Sequence, residues 1–105
     1  MINKFNGLLG ISAKAGKVIS GTDAVIDKIS KIFLIIVAKD ASEKTIKNFE
    51  FYSKKYNIDL IIYGDIFNNS KSIGKKNRAI IGITDKNLAD NIKKVIHGGG
   101  EFGEN

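Results

Sequence analysis

Hydrophobic residues along the chain follow two alternating patterns. In one, apolar residues recur every three or four positions, as on one face of an α-helix. In the other, successive residues are almost all apolar, which is typical of a strand covered on both faces. The clearest such run is Ile32 to Ala38, with seven residues. We predict the other strands at residues 18–19, 58–63 and 79–84.

Two helices are predicted before the long apolar run. Apolar residues recur at helical spacing from Ile2 to Ala13. Gly16 follows where a left-handed helix end requires a residue without Cβ. Ser20 to Asp23 offer side-chain oxygens that can cap a second helix, whose apolar face contains Val25, Ile26 and Ile29.

Three further helices are predicted after this run. Asp40 and Glu43 have the spacing of a capping box, which predicts a third helix ending near Asn57 and burying Ile46, Phe49, Tyr52 and Tyr56. A short fourth helix follows Asp65, ends at Gly74 and holds Ile66, Phe67 and Ile73. Asp85 caps a fifth, with Leu88, Ala89, Ile92, Val95 and Ile96 facing inward.

This alternation predicts an α/β fold in which a sheet lies between two helix layers, a three-layer α/β/α sandwich. A chain of 105 residues has the usual size of one domain. No linker or internal repeat is visible, so we predict one domain over residues 1–97. Residues 98–105 are rich in glycine, and we predict that this tail is disordered and without function.

Charge narrows the classes of partner. The chain has 17 Lys and Arg against 11 Asp and Glu, a net charge of +6, which attracts polyanions such as RNA, DNA or anionic lipid. The apolar run of seven residues is too short to span a bilayer, so no membrane association is predicted. The absence of Cys agrees with a reducing compartment, and we predict a cytoplasmic protein.

The residues that usually carry catalysis are scarce. With no Cys and one His, the sequence excludes thiol nucleophiles, thiolate metal sites and His clusters. His97 lies at the end of the last predicted helix, where an imidazolium suits the helix dipole. Gly16 and Lys17 do not form a phosphate-binding loop, because Val18 replaces the required Ser or Thr. We therefore predict no enzyme activity, no cofactor and no small-molecule substrate.

Two segments are suited to binding a polyanion. The first runs from Lys14 to Thr22 and joins Lys14 and Lys17 to the glycine-containing start of the second helix, where free backbone N–H groups favour phosphate. The second is Lys75-Lys76-Asn77-Arg78, between a glycine and a buried strand. Arg can bind phosphate or a base edge with two parallel bonds, and Asn can pair with a base.

Five short motifs occur in an order that identifies a family resemblance. They are Gly7-Leu8-Leu9-Gly10 with Ala13-Lys14-Ala15-Gly16-Lys17, then Ser20-Gly21, Val37-Ala38-Lys39-Asp40-Ala41-Ser42, Ile73-Gly74-Lys75, and Arg78-Ala79-Ile80-Ile81-Gly82-Ile83-Thr84-Asp85. Together they resemble the ribosomal protein L-seven-Ae / L-thirty-e / S-twelve-e family, in particular its small bacterial branch. The likeness covers residues 2–96.

The resemblance implies a mixed four-stranded sheet in the α/β/α sandwich and a non-catalytic, monomeric protein that binds RNA kink-turns or related internal loops, associated with the ribosome or translation. It also implies that RNA contacts the start of helix two and the loop before the last strand. The predicted RNA-binding residues are Lys14, Lys17, Gly21, Thr22, Asp23, Lys28, Lys39, Lys75, Lys76, Asn77 and Arg78.

The start of helix two departs from the family pattern. Kink-turn binders carry Gly-Thr-Asn-Glu-x-x-Lys there, whereas this chain keeps Gly21 and Thr22 but has Asp23, Ala24 and Asp27 in place of Asn, Glu and Lys. Asp23 lacks the N–H donor of Asn, and Asp27 repels phosphate. An alternative is therefore a protein-interaction or regulatory domain that has kept the fold and lost kink-turn specificity. The alternation of helices and strands alone leaves open a nucleotide-binding enzyme.

Overall fold

A computed structural model describes residues 3–98 of the chain. The helices are α1 (Lys4–Lys14), α2 (Thr22–Asp27), α3 (Glu43–Tyr56), α4 (Ile66–Ser72) and α5 (Lys86–Lys93). The strands are β1 (Val18–Ser20), β2 (Leu34–Val37), β3 (Asp59–Ile62) and β4 (Ile80–Ile83). A 3-10 turn, Ile29–Lys31, follows α2, and a π-helical turn, Lys94–Gly98, extends α5; neither was predicted.

The four strands form one mixed sheet in the order β1-β4-β2-β3. Strands β2 and β3 are parallel, and β4 is antiparallel to both of its neighbours, β1 and β2. The ends of β1, β2 and β3 therefore lie beside the start of β4, at what we call the upper edge, which contains Ser20, Val37, Ile62 and Ile80. Val18, Leu34, Asp59 and Ile83 lie at the opposite, lower edge.

Alternate residues of the central strands build two hydrophobic cores. Leu34 and Ile36 face one core, which α1 and α5 cover with Phe5, Leu9, Ala89 and Ile92. Ile35 and Val37 face the other, which α2 and α3 cover with Val25 and Phe49. Every residue of β2 is buried, as its continuous apolar pattern predicts. The predicted three-layer α/β/α sandwich with a mixed four-stranded sheet is confirmed.

The predicted start of α3 is wrong. The cap is Ser42, whose hydroxyl accepts a hydrogen bond from the Thr45 backbone N–H at 3.1 Å. Asp40 instead accepts from the backbone N–H of Ile66 at 2.9 Å, 26 residues away, because the upper edge brings β2 and α4 together. At the other end, Asn57 adopts the left-handed conformation, which confirms the predicted helix end.

Two aromatic side chains on the predicted third and fourth helices are exposed, and of these only Tyr56 was predicted to face the core. Tyr56 is 45% exposed at the last residue of α3, and Phe67 is 71% exposed in α4. Helix α4 instead buries Asn69 and Ser70, which reverses its hydrophobic pattern. Ile2 of the first predicted helix and residues 99–105 of the predicted tail lie outside the described residues.

Candidate nucleic-acid interface

Hydrogen bonds at the upper edge join the two segments that the sequence marks for polyanion binding. The backbone N–H of Gly21 donates to the carbonyl of Ile80 at 2.9 Å. The guanidinium Nε of Arg78 donates to the hydroxyl of Ser20 at 3.2 Å. Gly21 has a φ of +98°, and a Cβ built on it would lie 4.0 Å from Cδ of Arg78. The end of β1 and the start of β4 thus form one surface.

Ser70 holds the basic loop in place. Its hydroxyl accepts from the backbone N–H of Arg78 at 2.7 Å and lies 3.3 Å from the Arg78 carbonyl. Its carbonyl accepts from the N–H of Lys75 at 2.8 Å. The chain turns at Gly74 and Asn77, with φ of +73° and +55°. Ser70 is buried, so the loop is fixed to the domain while Lys75, Lys76 and Asn77 point into solvent.

Arg78 is half-buried, and its guanidinium is already partly ordered. Besides the bond to Ser20, its Nη1 donates to the carbonyl of Lys76 at 3.3 Å. Guanidinium carries five N–H donors, so the two that are used leave others for an incoming acceptor. A guanidinium that is already positioned loses less conformational entropy when it binds phosphate or a base edge.

Lys39 lies at the same edge, directly after β2. Its backbone N–H donates to the carbonyl of Gly64 at 2.9 Å, and its ammonium lies 5.4 Å from the centre of the Tyr63 ring. The Lys39 side chain is exposed. The structure therefore brings a further cation to the surface that contains Arg78.

Thr22 and Asp23 are exposed in the first turn of α2, next to Gly21. Helix α2 has only six residues, so its dipole contributes little to anion binding, and the positive charge comes from the neighbouring loops. Lys28 lies at the other end of this helix, about 9 Å further along its axis. The structure does not bring Lys28 to the upper edge.

Lys17 also lies away from that edge. The Lys17 carbonyl accepts from the backbone N–H of Thr84 at 2.9 Å, beside the lower edge, about 13 Å along β1 from Gly21. Lys14 ends α1 and lines a surface groove of about 610 Å³ together with Lys71 and Ser72. The predicted first segment is thus divided by the length of β1.

Two carboxylates near the upper edge, those of Asp40 and Asp65, accept hydrogen bonds from the first turn of α4. Asp65 caps α4, and its oxygens accept from the backbone N–H and the side-chain amide of Asn68 at 2.7 and 2.9 Å. These hydrogen bonds hold the pKa of the Asp65 carboxyl below its ordinary value, and the bond from the backbone N–H of Asn68 has the largest effect. Together with Asp40, which is bonded to Ile66, Asp65 binds backbone donors of α4.

A groove that sequence reasoning missed adjoins the basic loop. It has a volume of about 710 Å³ and lies between α4 and residues 74–77. Phe67 and Lys71 line it on one side, and Lys75 and Lys76 on the other. The sequence contained one relevant signal, because Phe67 and Lys71 are four residues apart and therefore neighbours on a helix surface.

Residues 3–98 contain neither a metal-binding cluster nor a membrane-spanning helix. No group of three or more His, Asp or Glu side chains in this range is placed to hold a metal ion. None of the helices described is long and apolar enough to cross a membrane.

Solved structures of other proteins share this α/β/α sandwich. The chain superimposes on a 15.5 kD RNA-binding protein of Giardia lamblia with a TM-score of 0.74 and 14% identity, over 97% of this chain and 92% of that one. It also matches a Bacillus halodurans protein of unknown function with a TM-score of 0.84 and 26% identity, over 89% and 96%.

Curated relatives define the family. The chain is 32% identical over 94 residues to the RNA-binding protein YlxQ of Bacillus subtilis, covering 85% of this chain and 91% of the relative. It is 33% identical over 97 residues to YlxQ of Enterococcus faecium, covering 90% and 93%. No protein-family model matches. The chain belongs to the YlxQ family of RNA-binding proteins.

Proposed function

We propose that this protein binds structured RNA through its upper edge, without catalysis. The observation that carries the proposal is the bond between Arg78 and Ser20, which joins the basic loop to the glycine-containing end of β1. The surface so formed presents Lys39, Lys75, Lys76 and Arg78. The RNA-binding activity for which both YlxQ relatives are named supports the proposal.

The shape of the interface suits an RNA with an internal loop or a kink. Such RNA displays unstacked bases and a bent backbone to a protein, whereas a regular A-form helix hides its base edges. The lysines are suited to phosphates, and the positioned guanidinium of Arg78 is suited to a base edge or to two oxygens of one phosphate. We propose a kink-turn or a related internal loop as the ligand.

We further propose that the protein acts in the cytoplasm as a monomer associated with the ribosome or another translation component. Its net charge of +6 favours contact with polyanionic assemblies and opposes self-association. The folds of ribosomal RNA supply many internal loops of the proposed kind.

Binding of a kink-turn hairpin RNA across a salt series tests the proposal. If four to six phosphates are neutralised, log K falls with log salt at a slope of about −3 to −5. The double variant K76A/R78A should lose most of the affinity. R78K keeps the charge at position 78 and shows how much of the loss is due to guanidinium geometry.

A matched control removes two charges elsewhere. Lys54 and Lys55 are exposed near the end of α3, so K54A/K55A removes the same charge away from the upper edge. We expect its affinity to change less than that of K76A/R78A. A salt slope near zero, or equal losses in both double variants, would contradict binding at the upper edge.

Asp23, Ala24 and Asp27 support a second candidate function, a protein-interaction domain that has lost its RNA motif. Asp23 and Ala24 are exposed beside Gly21, where the family motif presents Asn and Glu. Pull-down from lysate with and without nuclease separates the two functions. Partners that are retained after RNA digestion favour the second.

A further inference from the structure

Phe67 is the most exposed large hydrophobic residue in the described part of the chain, at 71%. Its backbone is nevertheless firmly placed, because two carboxylates bind the first turn of α4. Asp40 accepts from the N–H of Ile66 at 2.9 Å, and Asp65 accepts from that of Asn68 at 2.7 Å. An exposed aromatic ring on a fixed turn is costly to solvate and is suited to contact with a ligand.

The Phe67 ring lies beside an apolar side chain and close to several cations. Phe67 and Ile66 form one wall of the groove of about 710 Å³, a size typical of ligand sites. Lys75 and Lys76 line the opposite wall, and the ammonium of Lys71 lies 6.0 Å from the centre of the Phe67 ring. A flat ring beside several cations is the combination that binds single-stranded nucleic acid.

We propose that this groove binds one unstacked base of the RNA, with the ring of Phe67 as its stacking surface and Lys75 and Lys76 on the adjoining phosphates. The inference rests on the proposed function and extends it, since Lys75 and Lys76 belong to both the groove and the upper edge. A protein partner is a poorer fit, because an apolar protein segment would leave the cations of the rim without counter-charges.

The chain offers a closely matched control for Phe67. Phe51 is also exposed, at 60%, on a helix surface with a lysine ammonium, that of Lys55, 5.8 Å from its ring centre. Phe51 belongs to α3, in the helix layer on the other side of the sheet. F51A therefore removes the same exposed ring outside the proposed site.

The first experiment measures affinity for two RNAs, a hairpin with a three-nucleotide bulge between two stems and the same stems fully paired. F67A should weaken binding of the bulged RNA by roughly 5- to 150-fold, the range for losing one stacked base. F67L keeps apolar bulk without a flat ring and should behave like F67A, whereas F67W should bind as well as the native chain. F51A should leave the affinity unchanged.

The second experiment reads the contact directly. The sequence has no Trp, so F67W and F51W each carry a single fluorescent reporter. Adding the bulged RNA should quench F67W strongly, because a stacked base quenches indole emission, and should leave F51W unchanged. The fully paired RNA should quench F67W much less.

The outcomes separate this inference from the proposed function. If K76A/R78A loses affinity while F67A and F67L bind normally, RNA binding stands and the stacking site is overturned. The same holds if F67W and F51W are quenched equally. If the native chain binds neither RNA at any salt concentration tested, both proposals are overturned.

Discussion

Arg78 and Ser20 are 58 residues apart in the sequence, yet the guanidinium Nε of one donates to the hydroxyl of the other at 3.2 Å. The bond spans the β1–β4 pair at the point where both strands reach the upper edge. Removing the Ser20 hydroxyl should therefore shift the guanidinium of Arg78 without changing its charge.

S20A should accordingly weaken RNA binding by about 2- to 10-fold, because a hydrogen bond of this kind contributes about 0.5–1.5 kcal/mol. The salt slope should stay that of the native chain, whereas R78A should make it shallower by about 0.7–0.9. S30A, on the exposed 3-10 turn, is the control. A shallower slope for S20A would show that Ser20 does more than position Arg78.

Introducing the family motif at the start of α2 should increase the preference for kinked RNA. The triple variant D23N/A24E/D27K introduces an amide, a carboxylate and a cation at exposed positions of one short helix. We expect about a 10-fold gain in affinity for a kink-turn hairpin over the fully paired stems, since base-edge contacts are added.

The charge-matched control for that triple variant is E43Q/E50Q, which raises the net charge by the same amount on exposed positions of α3. It should strengthen binding to both RNAs alike. If the triple variant also strengthens binding to both RNAs alike, the gain in affinity is electrostatic and the motif is unnecessary.

Ile32 covers Gly82 in the core between the sheet and the α2–α3 layer. A Cβ on Gly82 would lie 2.5 Å from Cδ1 of Ile32, so G82A overpacks the site and should cost about 1–3 kcal/mol in the free energy of unfolding. I32V removes Cδ1 and should cost about 0.5–1.5 kcal/mol alone.

In the double variant G82A/I32V the new methyl group occupies the space that Cδ1 vacates. Urea unfolding should therefore show a smaller loss than the sum of the two single losses. Additivity within about 0.3–0.5 kcal/mol would mean that the core relaxes in another way.

Asp65 makes the free energy of unfolding depend on pH in the acid range. Its pKa is lower in the folded than in the unfolded chain, because Asn68 donates two hydrogen bonds to the ionised carboxylate. This stabilisation is present above the ordinary carboxyl pKa and is lost as pH falls through the folded value. The hydrogen bond from Lys86, and to a smaller extent the positive charges of Lys86 and Lys93, likewise lower the pKa of Asp90.

D65N keeps a capping side chain that does not titrate, so its Tm should fall less between pH 7 and pH 3 than that of the native chain. S42A is the control, because it removes the cap of α3 without removing a titrating group. It should lower the Tm about equally at every pH. A steeper acid loss in D65N would contradict the assigned role of Asp65.

Much of the fold was predictable because most local sequence patterns favoured one type of secondary structure. Four consecutive buried residues in β2 follow from an uninterrupted apolar run, and Asn57 and Asp85 carry conformational and capping preferences of their own. Asp40 was misassigned because its partner, Ile66, is distant in sequence. The exposure of Phe67 was not predicted, because only tertiary structure shows that the fourth helix buries Ser70 instead.

The geometry of the candidate site was predictable in part for the same reason. Glycine and charge marked Gly21 and the Lys75 to Arg78 loop, and strand pairing brought them together. No local pattern gives the direction of β1 relative to β4, and this direction places Gly21, rather than Lys17, beside the start of β4. Ser70, which anchors the loop, was not singled out because a buried serine has no distinctive sequence signal.

The upper edge is assembled from the ends of all four strands, with the order β1-β4-β2-β3 interleaving early and late parts of the chain. No fragment shorter than residues 18–83 contains all four strands, so a nascent chain can complete this edge only after β4 has been synthesised. An RNA bound there would in turn stabilise the folded domain. At a free concentration 100 times its Kd, it would add about 2.7 kcal/mol to the free energy of unfolding.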